Sequence, residues 1–308
     1  MLLALVLACN VAEQPVTAVK AAAAAHTFTF HNACSQPIWV GSHGQNGTPS
    51  LNGGGWQMAP NEKLPVSVPV GNSGRVWPRT ECSFPGDGQN HCESGGCLDA
   101  SGVFGEKCAQ TGVPPAALIE WTLDAPSGNG PIDYYDASLV DGWNVTAQMT
   151  ADPGTFNPTA DPGMDQARWC AMGGCATSPV CPSEYVDGDN CKSPCQKDDT
   201  EKACCTCSLD TPITCQDAAC AGGYGCSPYH DPAYPADMVC DPWSSDPARG
   251  WSDTQKSYIT AVHAACPNAY AWQFDDTKGT FNCRKDAGLV NYTITFCPRS
   301  ASPGLSPQ

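Results

Sequence analysis

The sequence predicts a mainly β protein, an antiparallel β-sandwich or barrel with a disulfide-rich second lobe that carries a short helix. Three observations lead there. Short segments of alternating apolar and polar residues recur along the chain, separated by clusters of Gly, Pro, Asn and Ser, the pattern of half-buried strands joined by turns. Twelve of the 21 cysteines fall between Cys170 and Cys240, in a stretch with little apolar sequence, where covalent bridges must replace the core that segment cannot build. Near its end a single capped helical pattern follows, at 253–265.

Taken in order, residues 1–25 combine the apolar stretch 2–9 with a run of alanines at 21–25 and are expected to be a secretory signal peptide. Strands are expected at 26–32 (HTFTFHN), 37–41 (PIWVG), 64–70 (LPVSVPV), 74–80 (GRVWPRT), 117–123 (ALIEWTL), 144–150 (NVTAQMT) and 290–296 (VNYTITF). Ser252 and Gln255 form a capping box ahead of Tyr258, Ile259, Val262 and Ala265 at helical spacing, and Pro267 stops the helix. Length alone suggests two domains at about 150 residues each. The expected division is a sandwich from 26–169 plus 267–300, the cysteine-rich lobe at 170–266, and a tail at 301–308.

Composition removes several functions. A formal charge of −16, from 15 Lys and Arg against 31 Asp and Glu, opposes binding to nucleic acid, which needs clustered cations to neutralise phosphates. It also weighs against permeabilising an anionic membrane, and no apolar run reaches the roughly 20 residues of a bilayer span. There is no phosphate loop, no Gly-x-Ser-x-Gly elbow and no His-x-x-x-His spacing, and no cofactor or metal is expected. So many cysteines belong to an oxidising compartment. Without Cys9 of the leader, 20 remain, enough for ten disulfides. Sequons at Asn46, Asn144 and Asn291 are candidate glycosylation sites.

Several ordered motifs resemble the thaumatin-like family of secreted, pathogenesis-related defence proteins: FTFHNACSQPIWVG, GRVWPRTECSFPGDGQNHC, ALIEWTL followed by DYYDASLVDGWNV, CPNAYAWQFDDTKGTFNC and NYTITFCP. The likeness covers residues 26–300. It departs at Ser94-Gly-Gly-Cys97, where the family usually reads Thr-Gly-Asp-Cys, and in an excess of cysteines between Cys205 and Cys240. The resemblance implies the bridges Cys34–Cys297, Cys82–Cys92, Cys97–Cys108, Cys170–Cys283, Cys175–Cys266, Cys181–Cys191 and Cys195–Cys204. It leaves Cys205, Cys207, Cys215, Cys220, Cys226 and Cys240 open.

The same resemblance implies an acidic cleft between sandwich and lobe, lined by Arg75, Glu120, Asp136, Asp141 and Asp275, with Asp275 preferred over Asp276 by alignment. The implied partner is β-1,3-glucan or a related cell-wall polysaccharide, bound by a secreted monomer. Weak endo-β-1,3-glucanase activity would use Glu120 as acid and Asp141 as nucleophile or base. Glycoside hydrolysis needs one protonated and one ionised carboxyl, and crowded carboxyls separate in pKa. Trp77, Trp121, Tyr134, Tyr135 and Trp143 lie near these residues in sequence and are candidates to stack on sugar rings. The plainer reading of the same residues is an Arg75–Glu120 ion pair joining two strands, with Asp124, Asp133 and Asp136 in turns and the aromatics in the core. A stress-related extracellular protein without a ligand remains the third function class.

Overall fold

Strand alternation sorts the side chains into two faces, and two sheets result. The computed structural model describes residues 24–84, 92–198, 201–204, 242–245 and 250–298. The tail, the six cysteines of open pairing and the expected leader up to residue 23 lie outside the described residues; Ala25, the last residue of that leader, already belongs to the first strand. Thirteen strands are described: β1 Ala25–Asn32, β2 Ile38–Gly44, β3 Gly55–Met58, β4 Lys63–Pro69, β5 Ser73–Arg79, β6 Leu118–Ala125, β7 Ile132–Ser138, β8 Ala147–Ala151, β9 Gly173–Gly174, β10 Val186–Asp187, β11 Asn190–Cys191, β12 Phe281–Cys283 and β13 Tyr292–Phe296. One sheet runs β4-β1-β13-β8-β9, the other β12-β7-β6-β5-β2-β3, and β10-β11 is a separate short pair. Pairing is antiparallel except between β1 and β13.

All seven expected strands form, with ends shifted by a few residues. The clearest omission is β7. Its sequence IDYYDAS carries Asp133 and Asp136, and aspartate is depleted in strands. Burial rather than propensity decides it: Ile132, Tyr135 and Ala137 are buried and face the core.

The core lies between the sheets. On β1 every second residue is buried. Phe28 sits edge-on to Trp121 at 5.1 Å and to Tyr292 at 5.5 Å. Burial of each such side chain contributes roughly 1.5–3 kcal/mol. Helix α3, Asp253–Ala265, starts at the expected capping box: Gln255 N donates to Ser252 Oγ at 3.2 Å, and Ser252 N donates to Gln255 Oε1 at 2.9 Å. Its buried residues Tyr258, Ile259 and Val262 join the same apolar cluster as the sandwich core. Three shorter helices are α1 Pro194–Asp198, α2 Glu201–Cys204 and α4 Asp276–Gly279.

The structure holds the bridges Cys34–Cys297, Cys82–Cys92, Cys97–Cys108, Cys170–Cys283, Cys175–Cys266, Cys181–Cys191 and Cys195–Cys204. Cys34–Cys297 joins the ends of β1 and β13, while Cys175–Cys266 fastens the end of α3 beside β9.

Candidate acidic cleft

Sheet register brings together residues that are far apart in sequence. Arg75 on β5 lies opposite Glu120 on β6, and Glu120 lies opposite Asp136 on β7. Directly opposed residues share a face, with Cβ atoms roughly 4.5–5.5 Å apart. The period of two then does the sorting: Val76, Ile119 and Tyr135 point into the core, and Arg75, Glu120 and Asp136 form a row on the opposite face.

That row floors a cleft of about 410 Å³, whose lining includes Gln45, Asp141, Tyr270 and Asp276. Arg75 Nη2 lies 2.9 Å from Glu120 Oε1. With its amide oxygen turned to the guanidinium, Gln45 accepts from Arg75 Nη2 and, at 3.0 Å, from Nε. Asp141 follows β7, and its Oδ1 accepts from Gln196 Nε2 on α1 at 3.5 Å, which links the sandwich edge to the cysteine-rich segment. Tyr270 donates its hydroxyl to Asp276 Oδ1 at 2.6 Å and meets Thr280 Oγ1. Among the lining residues there are four carboxyls and one guanidinium.

The thaumatin family model matches residues 32–225 and 225–298. The chain belongs to the thaumatin family. It is 32% identical over 286 residues to the pathogenesis-related thaumatin-like protein 3.5 of Cryptomeria japonica, covering 90% of this chain and 92% of that protein. It is 31% identical over 278 residues to pathogenesis-related protein 5 of Arabidopsis thaliana, with 88% and 90% coverage. A Prunus avium protein named glucan endo-1,3-beta-glucosidase is 32% identical over 282 residues, with 89% and 91% coverage.

In this thaumatin-family cleft Glu120, Asp136 and Asp141 resist ionisation. Burial pushes the Asp136 carboxyl well above the ordinary range, and the charge of Glu120 pushes it further; Arg75 opposes and Asp276 adds to the rise. Burial also raises Glu120, but Arg75 pulls it back before Asp141 adds its repulsion. Asp141 rises through burial, against the pull of Arg75. Burial and the bond to Asp276 raise the Tyr270 phenol, so it stays a donor.

Four of the five expected cleft residues, Arg75, Glu120, Asp136 and Asp141, meet there; Asp275 does not, and the alignment choice is corrected. Its side chain is 6% exposed, with Oδ2 bonded to His263 Nε2 at 2.6 Å and accepting from Ala271 N at 3.1 Å. Asp276 takes the place in the cleft. Successive residues at a helix start point about 100° apart, so one aspartate faces the cleft and its neighbour faces α3. Gln45 and Tyr270 carried no signal in sequence, because their roles depend on contacts with Arg75 and Asp276. Among the expected aromatic platforms, Trp77 and Trp143 are buried, and Trp121 and Tyr135 reach the cleft only as buried floor. Tyr134 lines it half-buried, as does Tyr270.

Among the described residues, the groups that bring metal-ligand atoms within 4.8 Å of one another are His26, Asp124 and Asp133. Their atoms already bond to protein. His26 Nε2 lies 2.9 Å from Asp124 Oδ2, and Nδ1 lies 2.7 Å from Val290 O. Asp133 accepts from Asp124 N at 2.8 Å and from Tyr292 Oη at 2.6 Å. The arrangement is a fastening among β1, β6, β7 and β13.

Proposed function

We propose that the acidic cleft binds β-1,3-glucan and that the chain is a secreted, monomeric antifungal defence protein. One observation carries the reading: the cross-strand row Arg75–Glu120–Asp136, with Asp141 and Asp276 beside it, in an open cleft. Four carboxyls facing one cation repel anionic ligands and accept hydrogen bonds from the hydroxyls of a neutral polysaccharide. Tyr134 and Tyr270 add aromatic surface and a hydroxyl at the cleft wall. The relative named glucan endo-1,3-beta-glucosidase and the oxidising compartment that paired cysteines require support the same reading. The test is sedimentation with insoluble β-1,3-glucan. The double variant Glu120→Gln, Asp141→Asn is expected to lose about tenfold or more in affinity, the scale of one or two charge-assisted hydrogen bonds. Binding equal to that of the unaltered protein sinks the cleft as the binding site.

Slow hydrolysis is a second reading, favoured by how the charges divide. Arg75 at 2.9 Å opposes the rise of Glu120, while burial, then Glu120 and Asp276, lift Asp136 well above the ordinary carboxylate range, so of the two Asp136 is the readier to hold a proton. One protonated and one ionised carboxyl are what the reaction needs. In this reading Asp136 is the acid, in place of Glu120, and Glu120 stabilises developing positive charge on the sugar. Reducing ends should accumulate from soluble glucan and disappear with Asp136→Asn. No accumulation by the unaltered protein leaves binding alone.

A further inference from the structure

We propose that Asn46 is the residue at which this chain carries an N-linked oligosaccharide, and that the sugar stands at the arginine end of the cleft, where it limits the length of glucan admitted. The second half rests on the glucan reading; the first does not. An N-linked glycan replaces one hydrogen of the asparagine Nδ2 and needs open solvent around it. The fold treats the three sequons differently.

Asn144 has no room for the change. Its Nδ2 donates to Pro78 O at 2.9 Å and to Ser94 Oγ at 2.7 Å, so both hydrogens are used inside the fold. A glycosylated side chain keeps one hydrogen and would push sugar against β5. Asn291 is half-buried beside β13, with Oδ1 accepting from Thr27 N at 2.8 Å.

Asn46 is exposed. It occupies a tight turn in which Thr48 N donates to Gln45 O at 2.9 Å. Asn46 and Gly47 have φ of 53° and 77°, the left-handed pair that Asn-Gly supplies in hairpin turns. Gln45 N donates to Ser73 O at 2.7 Å and ties the turn to β5. The preceding residue, Gln45, lines the cleft and holds Arg75. A sugar on Asn46 is therefore attached one residue from the cleft wall, on a backbone with little freedom to swing away.

The experiment is peptide mapping of the folded protein secreted by a eukaryotic host. Enzymatic release of glycans in heavy-oxygen water labels each asparagine that carried one. Label at Asn46 and none at Asn144 or Asn291 is expected; label at either of these, or its absence at Asn46, overturns the assignment. A second arm trims the glycan to its first sugar with an endoglycosidase and measures binding of glucan polymer and of a trisaccharide. Trimming should tighten polymer binding severalfold and leave the trisaccharide unchanged. If both ligands bind and trimming alters neither, the cleft-limiting role falls and the site assignment stands. If neither form binds glucan, the reading of the cleft fails, and the mapping still decides Asn46.

Discussion

Strands β6 and β7 each carry two acidic residues, and the two ends of this pair differ in what surrounds them. Toward one end lie Asp124 and Asp133, which receive His26 Nε2, Gly71 N, Asp124 N and Tyr292 Oη. Toward the other lie Glu120 and Asp136, joined by Asp141 and Asp276 and facing one guanidinium. The first end has donors to match its acceptors and is the more closed, beside a pocket of only about 160 Å³. The second has too few cations and is open. Residue type is the same at both ends; the balance of donors to charges separates a fastening from a candidate binding site.

The sharpest way to break this comparison is to remove a carboxyl from the closed end. Asp133→Ala leaves the Tyr292 hydroxyl and the Asp124 amide without their acceptor, beside a His26 that is also buried. Unsatisfied buried donors cost about 1–3 kcal/mol each, so a loss of roughly 3 kcal/mol is expected in urea denaturation. Glucan affinity of the molecules that remain folded should not change. A loss below that of any cleft variant would mean that the two ends do not divide as described.

The opposite sign is expected at the open end. Because burial and Glu120 raise the folded Asp136 carboxyl, folding takes up a proton there above the unfolded carboxylate pKa of about 3.9. Its stabilisation is complete below that value and is lost as pH climbs through the raised folded value. Asp136→Asn carries no charge to desolvate, beside Glu120, Asp276 and Arg75. It should therefore be more stable than the unaltered protein at pH 7, by on the order of 1 kcal/mol, with the gap closing toward pH 4. Partial contact with water tempers the size, not the sign. Equal stability at both pH values would show that the charge of Asp136 costs the fold nothing.

The sequence carried one kind of information about these ends and not the other. Alternation in HTFTFHN and ALIEWTL marks β1 and β6, because a period of two survives in one dimension. Arg75, Glu120, Asp136 and Asp141 were legible through family motifs. Their assembly into a row was not, since it depends on the register of β5, β6 and β7. Asp133 reads as a turn residue in sequence for the same reason: the hydroxyl it accepts from belongs to Tyr292, 159 residues away. Asp275 and Asp276 are indistinguishable in composition, and only the direction of α4 separates them.

The smallest expected effect comes from Tyr270→Phe, which asks whether the open end contains a fastening of its own. The Tyr270 backbone is pinned beside β7, its N donating to Ala137 O at 2.9 Å and its O accepting from Leu139 N at 2.9 Å. Its ring seats α4 so closely that a Cβ on Gly279 would lie 1.9 Å from ring carbon Cδ2. Phenylalanine keeps both of these contacts and removes only the hydroxyl that directs Asp276. Water at the cleft wall can replace that donor, so the stability cost should stay below about 1 kcal/mol. Asp276 would then lose one of the contacts that aim it, and glucan affinity should fall by about three- to fivefold, the size of one lost neutral hydrogen bond. If Tyr270→Phe instead destabilises the fold as much as Asp133→Ala and leaves binding intact, the Tyr270–Asp276 pair belongs with the fastening, and the cleft's functional part narrows to Arg75, Glu120, Asp136 and Asp141.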